Sequence, residues 1–98
     1  MPDARVNLYH NLSVMLDAGV PITRALQSAS KTGRYGRLFK TIETQVAAGN
    51  SVSDVIRHYP RQFGKLDQTF FQVGEETGQL AEMLEALSQW YADRKSVV

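Results

Sequence analysis

The chain is 98 residues long, with a formal net charge of +1, 43% hydrophobic residues and no cysteine. That length fits one domain, able to bury roughly two-thirds of its extended-chain surface without a covalent staple. The absent cysteines exclude disulfides and thiolate metal sites, the near-neutral charge argues against a dedicated nucleic-acid binder, and no apolar run approaches the roughly 20 residues needed to cross a bilayer. Met1-Pro2-Asp3-Ala4-Arg5 at the amino terminus has no apolar region of signal-peptide type.

In chain order, Asp3 is placed to cap a first helix running to about Asp17, with Leu8, Leu12 and Met15 inward and Tyr9 and Leu16 beside them. Gly19 stops it. Pro21 suits a first helical position, where its missing N–H is not needed, and Ile22, Ala25, Leu26 and Ala29 give a second, narrower stripe. Lys31-Thr32-Gly33 reads as a turn. Tyr35, Leu38, Phe39, Ile42 and Val46 then mark a third helix ending at Gly49.

Ser51 can accept from a first-turn amide of a short fourth helix, and Asp54 suits the positive end of that helix. Val52, Val55, Ile56 and Tyr59 are its packing residues, and Pro60 is expected to end it. Phe63 is expected to plug the core from the following loop. A fifth helix carries Leu66, Phe70 and Val73 on its inward stripe, with Phe71 off that stripe. Gly78 can take the left-handed conformation that closes this helix. Gly74, costly inside a helix by about 1 kcal/mol relative to alanine, implies close approach of another backbone. The sixth helix runs to about Lys95, with Leu80, Leu84, Leu87 and Tyr91 on one face and Met83 and Trp90 beside it.

Six helices with no period-2 stretch predict an all-α fold, a single six-helix bundle. The stops at Gly19, Gly49 and Gly78 fall at similar intervals, but the residues after each do not match, which favours one bundle over a repeat array.

Charge is segregated along the chain. Arg24, Lys31, Arg34, Arg37 and Lys40 follow one another with no carboxylate between them, whereas Asp67, Glu75, Glu76, Glu82, Glu85 and Asp93 follow one another with no cation. The simpler expectation is two solvated faces that attract each other. The sharper one is a dipolar surface that orients partners or pairs protomers.

Catalytic signatures are missing. His10 and His58 stand among core-forming residues with no second histidine three or four positions away, and a satisfied structural histidine is the expectation for each. Glu75 and Glu76 are adjacent, so on a helix they point about 100° apart and make no paired-carboxylate site. Helix-end solvation or a cross-helix ion pair is their expected role. No phosphate loop, dinucleotide fingerprint or nucleophile elbow is present. Tyr35 and Phe39, interleaved with the basic run, fall at helical spacing and read as core, not as a nucleic-acid platform.

Four segments in register carry a resemblance: Leu16-Asp17-Ala18-Gly19-Val20-Pro21-Ile22, then Ala47-Ala48-Gly49-Asn50-Ser51-Val52-Ser53-Asp54-Val55, then Tyr59-Pro60-Arg61-Gln62-Phe63, and Val73-Gly74-Glu75-Glu76-Thr77-Gly78-Gln79-Leu80 followed by Leu84. In this order the chain, from about Leu8 to about Arg94, resembles the cytoplasmic domain of the type II secretion system protein F family, the inner-membrane platform proteins of type II secretion and type IV pilus assembly. The family positions carried over are Gly19, Pro21, Gly49, Ser51, Pro60, Phe63, Gly74, Glu75, Gly78, Leu80 and Leu84.

The resemblance implies the first of two cytoplasmic domains, spanning 1–98 and followed by a transmembrane helix; Arg94-Lys95-Ser96-Val97-Val98 fits such a junction. It implies docking of the hexameric assembly ATPase, contacts with other inner-membrane assembly proteins and pilins, and formation of a homodimer or higher homo-oligomer. It implies no enzymatic activity and no cofactor. The candidate partner-binding residues are the basic set Arg34, Arg37 and Lys40 and the acidic set Glu82, Glu85 and Asp93, with Phe71 or Trp90 for self-association. Some family members bind calcium through acidic residues one turn apart on the last helix. Glu85 matches the first position, but Gln89 stands at the second and the Lys31-Thr32-Gly33 turn supplies no carboxylate, so no calcium site is expected. The alternative is a free-standing soluble helical adaptor whose activity is dimerisation.

Overall fold

Asp3 opens the first helix as its cap, its carboxylate accepting from the Arg5 amide at 2.9 Å. In the computed structural model, which describes residues 3–31 and 33–93, six helices follow in order: α1 (Ala4–Asp17), α2 (Ile22–Ala29), α3 (Gly36–Ala47), α4 (Val52–Ile56), α5 (Lys65–Thr77) and α6 (Leu80–Asp93). No strand occurs among the described residues, so the fold is the all-α bundle expected. Each helix packs on its chain neighbours and α6 closes on α1, giving a ring of helices around one core. The α1–α6 seam is antiparallel and is stitched by two serines that donate to carbonyls across it, Ser13 to Ala81 and Ser88 to Val6, both at 2.7 Å.

The core contains Tyr9 and Leu12 from α1, Leu26 from α2, Phe39 and Ile42 from α3, Val55 and Ile56 from α4, Phe71 from α5, and Leu84, Leu87 and Tyr91 from α6. Phe63 enters from the loop as expected, buried and edge-on to both Phe39 and Phe71 at centroid distances of 6.0 and 6.2 Å.

Some local expectations change. Pro21 is the cap of α2, extended at ψ 148, and α2 begins one residue later than its sequence suggests. α4 ends at Ile56, before Pro60 can act. Tighter turn bonds, from the His58 amide to Val55 and from the Tyr59 amide to Ile56, finish the helix and let the chain deliver Phe63 to the core. α6 is described to Asp93; Lys95 and the carboxy-terminal Arg94-Lys95-Ser96-Val97-Val98 lie outside the described residues.

The largest correction concerns α5. Its buried face is Asp67, Phe71 and Gly74, while Leu66 and Phe70 are half-buried and Val73 is exposed. Phe71 is therefore a core residue and is unavailable for self-association. The apolar pattern misleads because the true inward stripe includes a carboxylate and a glycine. Trp90, by contrast, is half exposed on α6.

Both glycine expectations in this region hold. Gly78 sits at φ +70, its amide bonded to the Gly74 carbonyl, and turns the chain so that α6 starts at once. A Cβ on Gly74 would stand 2.8 Å from the Leu80 Cα, so α5 and α6 pack backbone to backbone there.

Candidate functional site

The segments that carry the family pattern are far apart in the chain and converge in space. At the start of α4, Ser51 Oγ accepts from the Asp54 amide at 3.2 Å. The Glu75 carboxylate reaches across from α5 and accepts from the Val52 amide at 2.8 Å and the Ser53 amide at 2.9 Å. Side-chain oxygens thus bind the amides of Val52, Ser53 and Asp54, all at the positive end of the helix. Glu75 is neither solvated at a helix end nor ion-paired; it is a cap delivered from another helix. Glu76, one residue on, is exposed and accepts only from Gln72 on its own helix, consistent with the divergence of adjacent helical residues. Leu16, Ile22, Gly74, Glu75, Gly78 and Leu80 line one open depression of about 580 Å³, so the first and last motif segments meet as well. The motif residues position helices.

A second polar centre was not legible from the sequence. Asp67 is completely buried, and its two carboxylate oxygens accept one hydrogen bond each from the hydroxyls of Tyr9 and Tyr91, tying α1, α5 and α6 together. Burial, reinforced by the Asp67 charge and hydrogen bond, pushes the Tyr9 hydroxyl far above its usual range. Tyr91 is pushed up in the same way, burial first and the Asp67 hydrogen bond next. The Arg5 guanidinium lies over the Tyr91 ring, 3.8 Å from its centroid, and is held by Asp3 through bonds of 3.0 and 2.7 Å. Asp67 is closed off by its two tyrosines and offers no face to a substrate. The signal that could reveal it is the i, i+4, i+7 spacing of Asp67, Phe71 and Gly74.

The histidines are not core residues. His10 and His58 are both exposed. His10 Nδ1 pairs with Glu85 Oε1 across the α1–α6 seam at 2.8 Å, and Gln89 Nε2 donates to Glu85 Oε2 at 3.1 Å. These contacts, His10 foremost, hold the Glu85 carboxyl below its usual range. Glu85 therefore acts within the fold, with each oxygen engaged. Among the described residues no group of three or more His, Cys, Asp or Glu side chains is placed to hold a metal ion.

The basic set and the acidic set occupy separate parts of the ring. Arg34, Arg37 and Lys40 are exposed at the start of α3; Glu82 and Asp93 are exposed on α6. α3 packs on α2 and α4 and does not touch α6. The ion pairs Arg5–Asp3, His10–Glu85 and Arg57–Asp54 do not join the two sets. Within one copy the two sets therefore stand on helices that do not pack together.

These features define an all-helical domain held by caps between elements, with charge displayed on separated surfaces and its buried acid sealed. The chain belongs to the family described as Type II secretion system (T2SS), protein F, which it matches over residues 8–97. It is 26% identical over 89 residues to the Type II secretion system protein F of Vibrio cholerae, covering 88% of this chain and 22% of that protein. It is 30% identical over 80 residues to the Type 4 fimbrial assembly protein PilC of Pseudomonas putida, covering 79% of this chain and 20% of that protein. It is also 26% identical over 100 residues to the Protein transport protein HofC homolog of Haemophilus influenzae, covering 91% of this chain and 25% of that protein. The chain thus spans about a fifth to a quarter of the length of these relatives. No helix among the described residues is long and apolar enough to cross a membrane.

Proposed function

We propose that this chain is a cytoplasmic docking domain of an inner-membrane platform protein for type II secretion or type IV pilus assembly. Its work is mechanical: it receives the hexameric assembly ATPase and passes that contact to neighbouring assembly proteins and pilins. Family membership and the names of the relatives support the setting. The observation that carries the docking role is the pair of exposed, oppositely charged sets on α3 and α6, which the fold keeps apart and leaves facing outward. Such sets steer and orient partners more than they stabilise the monomer.

The direct experiment is an ATPase pull-down with the variant Arg34→Glu/Arg37→Glu/Lys40→Glu. Capture weakens while helical circular dichroism is unchanged; capture equal to wild type removes the α3 set from the interface. Self-association is a second contact, favoured by the half-exposed Trp90. The competing adaptor reading is separated by the coding sequence beyond Val98. An apolar stretch of about 20 residues with a second Gly-Glu-x-x-Gly copy supports the platform, and a stop codon supports the adaptor.

A further inference from the structure

Between α1, the end of α2 and the start of α3 lies a cleft of about 300 Å³, and beyond Tyr35 a shallower groove of about 460 Å³ runs along α3. Arg34 and Tyr35 line both, so the cleft and the groove adjoin at these residues, and together they make up the channel. Arg34 and Arg37 are the charged residues that line it, and no carboxylate does. Its apolar lining comes mainly from Leu8, Met15, Tyr35 and Leu38, all half-buried.

On the α1 side the rim carries Asn7 and Asn11, both exposed, and neither side chain hydrogen-bonds to another described residue. They stand one helical turn apart. Four residues of helix advance about 6.0 Å, and two residues of an extended strand advance about 6.6 Å. Each amide side chain offers both a donor and an acceptor, the complement of a peptide unit. Two such groups at this spacing match alternate residues of an extended chain lying along α1.

We infer that this channel binds an extended acidic peptide segment of a partner protein. Asn7 and Asn11 hydrogen-bond its backbone, Arg34 and Arg37 pair with its carboxylates, and its apolar side chains rest against Leu8, Met15 and Tyr35. The inference rests on the docking role for the existence of a partner, and it adds where and in what form that partner is held. Recognition through backbone amides accounts for affinity, and the unopposed arginines account for the sign of charge selected.

The test uses the whole 98-residue chain and a fluorescein-labelled octapeptide alternating leucine and glutamate, followed by anisotropy and by amide chemical-shift mapping. Binding is expected, with shifts at Asn7, Asn11 and Arg34. The counterpart peptide with lysine in place of glutamate binds at least about tenfold more weakly. Asn7→Ala/Asn11→Ala weakens binding about tenfold, and Arg34→Glu abolishes it. Lys65→Glu, exposed at the start of α5 and outside the channel, leaves it unchanged. These surface variants keep wild-type circular dichroism. No binding of the acidic peptide, equal binding of the lysine peptide, an Asn7→Ala/Asn11→Ala variant equal to wild type, or shifts confined to α6 would each overturn the inference. If the ATPase is captured but the peptide does not bind, the channel is wrong and docking stands. If the peptide binds in the channel but the ATPase is not captured, docking is wrong and the channel stands.

Discussion

Replacing Asp67 with leucine removes the acceptor that Tyr9 and Tyr91 share and leaves two hydroxyls without a partner, on residues only 0% and 5% exposed. Each orphaned hydroxyl costs about 1–3 kcal/mol, so the gross loss is about 2–6 kcal/mol. Relief of carboxylate desolvation and the added apolar burial offset about 1–2 kcal/mol of this. A net destabilisation of about 1–4 kcal/mol follows, which for a domain of this size lowers Tm by about 5–30 °C. Asp67→Asn is milder, about 1–2 kcal/mol, because the amide keeps one acceptor and can donate to the second hydroxyl. The decisive variant is Tyr9→Phe/Asp67→Leu/Tyr91→Phe. Removing all three polar partners together is close to neutral, so it recovers most of what Asp67→Leu loses.

The same network sets the alkaline limit. The folded-state pKa values of both tyrosines lie above the unfolded value of about 10, so the unfolded chain releases these protons first and stability falls as pH rises past about 10. The triple variant has a flatter alkaline limb. Urea denaturation across pH measures all of this. An Asp67→Leu variant within about 0.5 kcal/mol of wild type, or a triple variant as unstable as the single one, would refute the reasoning.

Three further outcomes follow from the packing. Gly74→Ala gains about 1 kcal/mol of helix propensity but places a Cβ 2.8 Å from the Leu80 Cα. Backbone cannot yield cheaply, so overpacking of about 1–3 kcal/mol wins and urea melts show a net loss; a stabilised variant contradicts the close approach. Glu75→Ala strips the Val52 and Ser53 amides of their acceptor and costs about 2 kcal/mol. Hydrogen exchange shows it as faster exchange at those two amides, and unaltered protection there would mean that Glu75 is no cap. Trp90→Ser costs about 1–3 kcal/mol, because half of the residue's surface is covered, and it weakens self-association in sedimentation velocity; an unchanged association constant excludes Trp90 from the contact.

What the sequence revealed is what local chemistry decides. The Asp3 and Ser51 caps, the Gly78 reversal and the inward stripes of α1, α2, α3 and α6 follow from spacing and backbone rules, and the structure has them. What it hid depends on residues distant in the chain. Asp67 looks like a solvent residue until Tyr9 and Tyr91 arrive from α1 and α6, so periodicity alone sets the stripe of α5 a step out of register, with Phe71 outside and Val73 inside. Glu75 gives no sign that its partner is the start of α4, because a side chain 22 residues ahead in sequence is invisible to helical periodicity. His10 is misread for a related reason: its partner Glu85 lies 75 residues away. The charged sets were visible as runs, but only the ring order of the helices shows that α3 and α6 do not meet.

The proposition that matters most is that the separated charged surfaces receive partners. The salt dependence of ATPase binding tests it most directly, with the wild-type chain and the Arg34→Glu/Arg37→Glu/Lys40→Glu variant titrated from about 50 to about 300 mM salt. Wild-type affinity should fall steeply over that range and the variant should bind weakly with a shallow slope. Wild-type affinity indifferent to salt, or a variant with the same slope and strength, would contradict it.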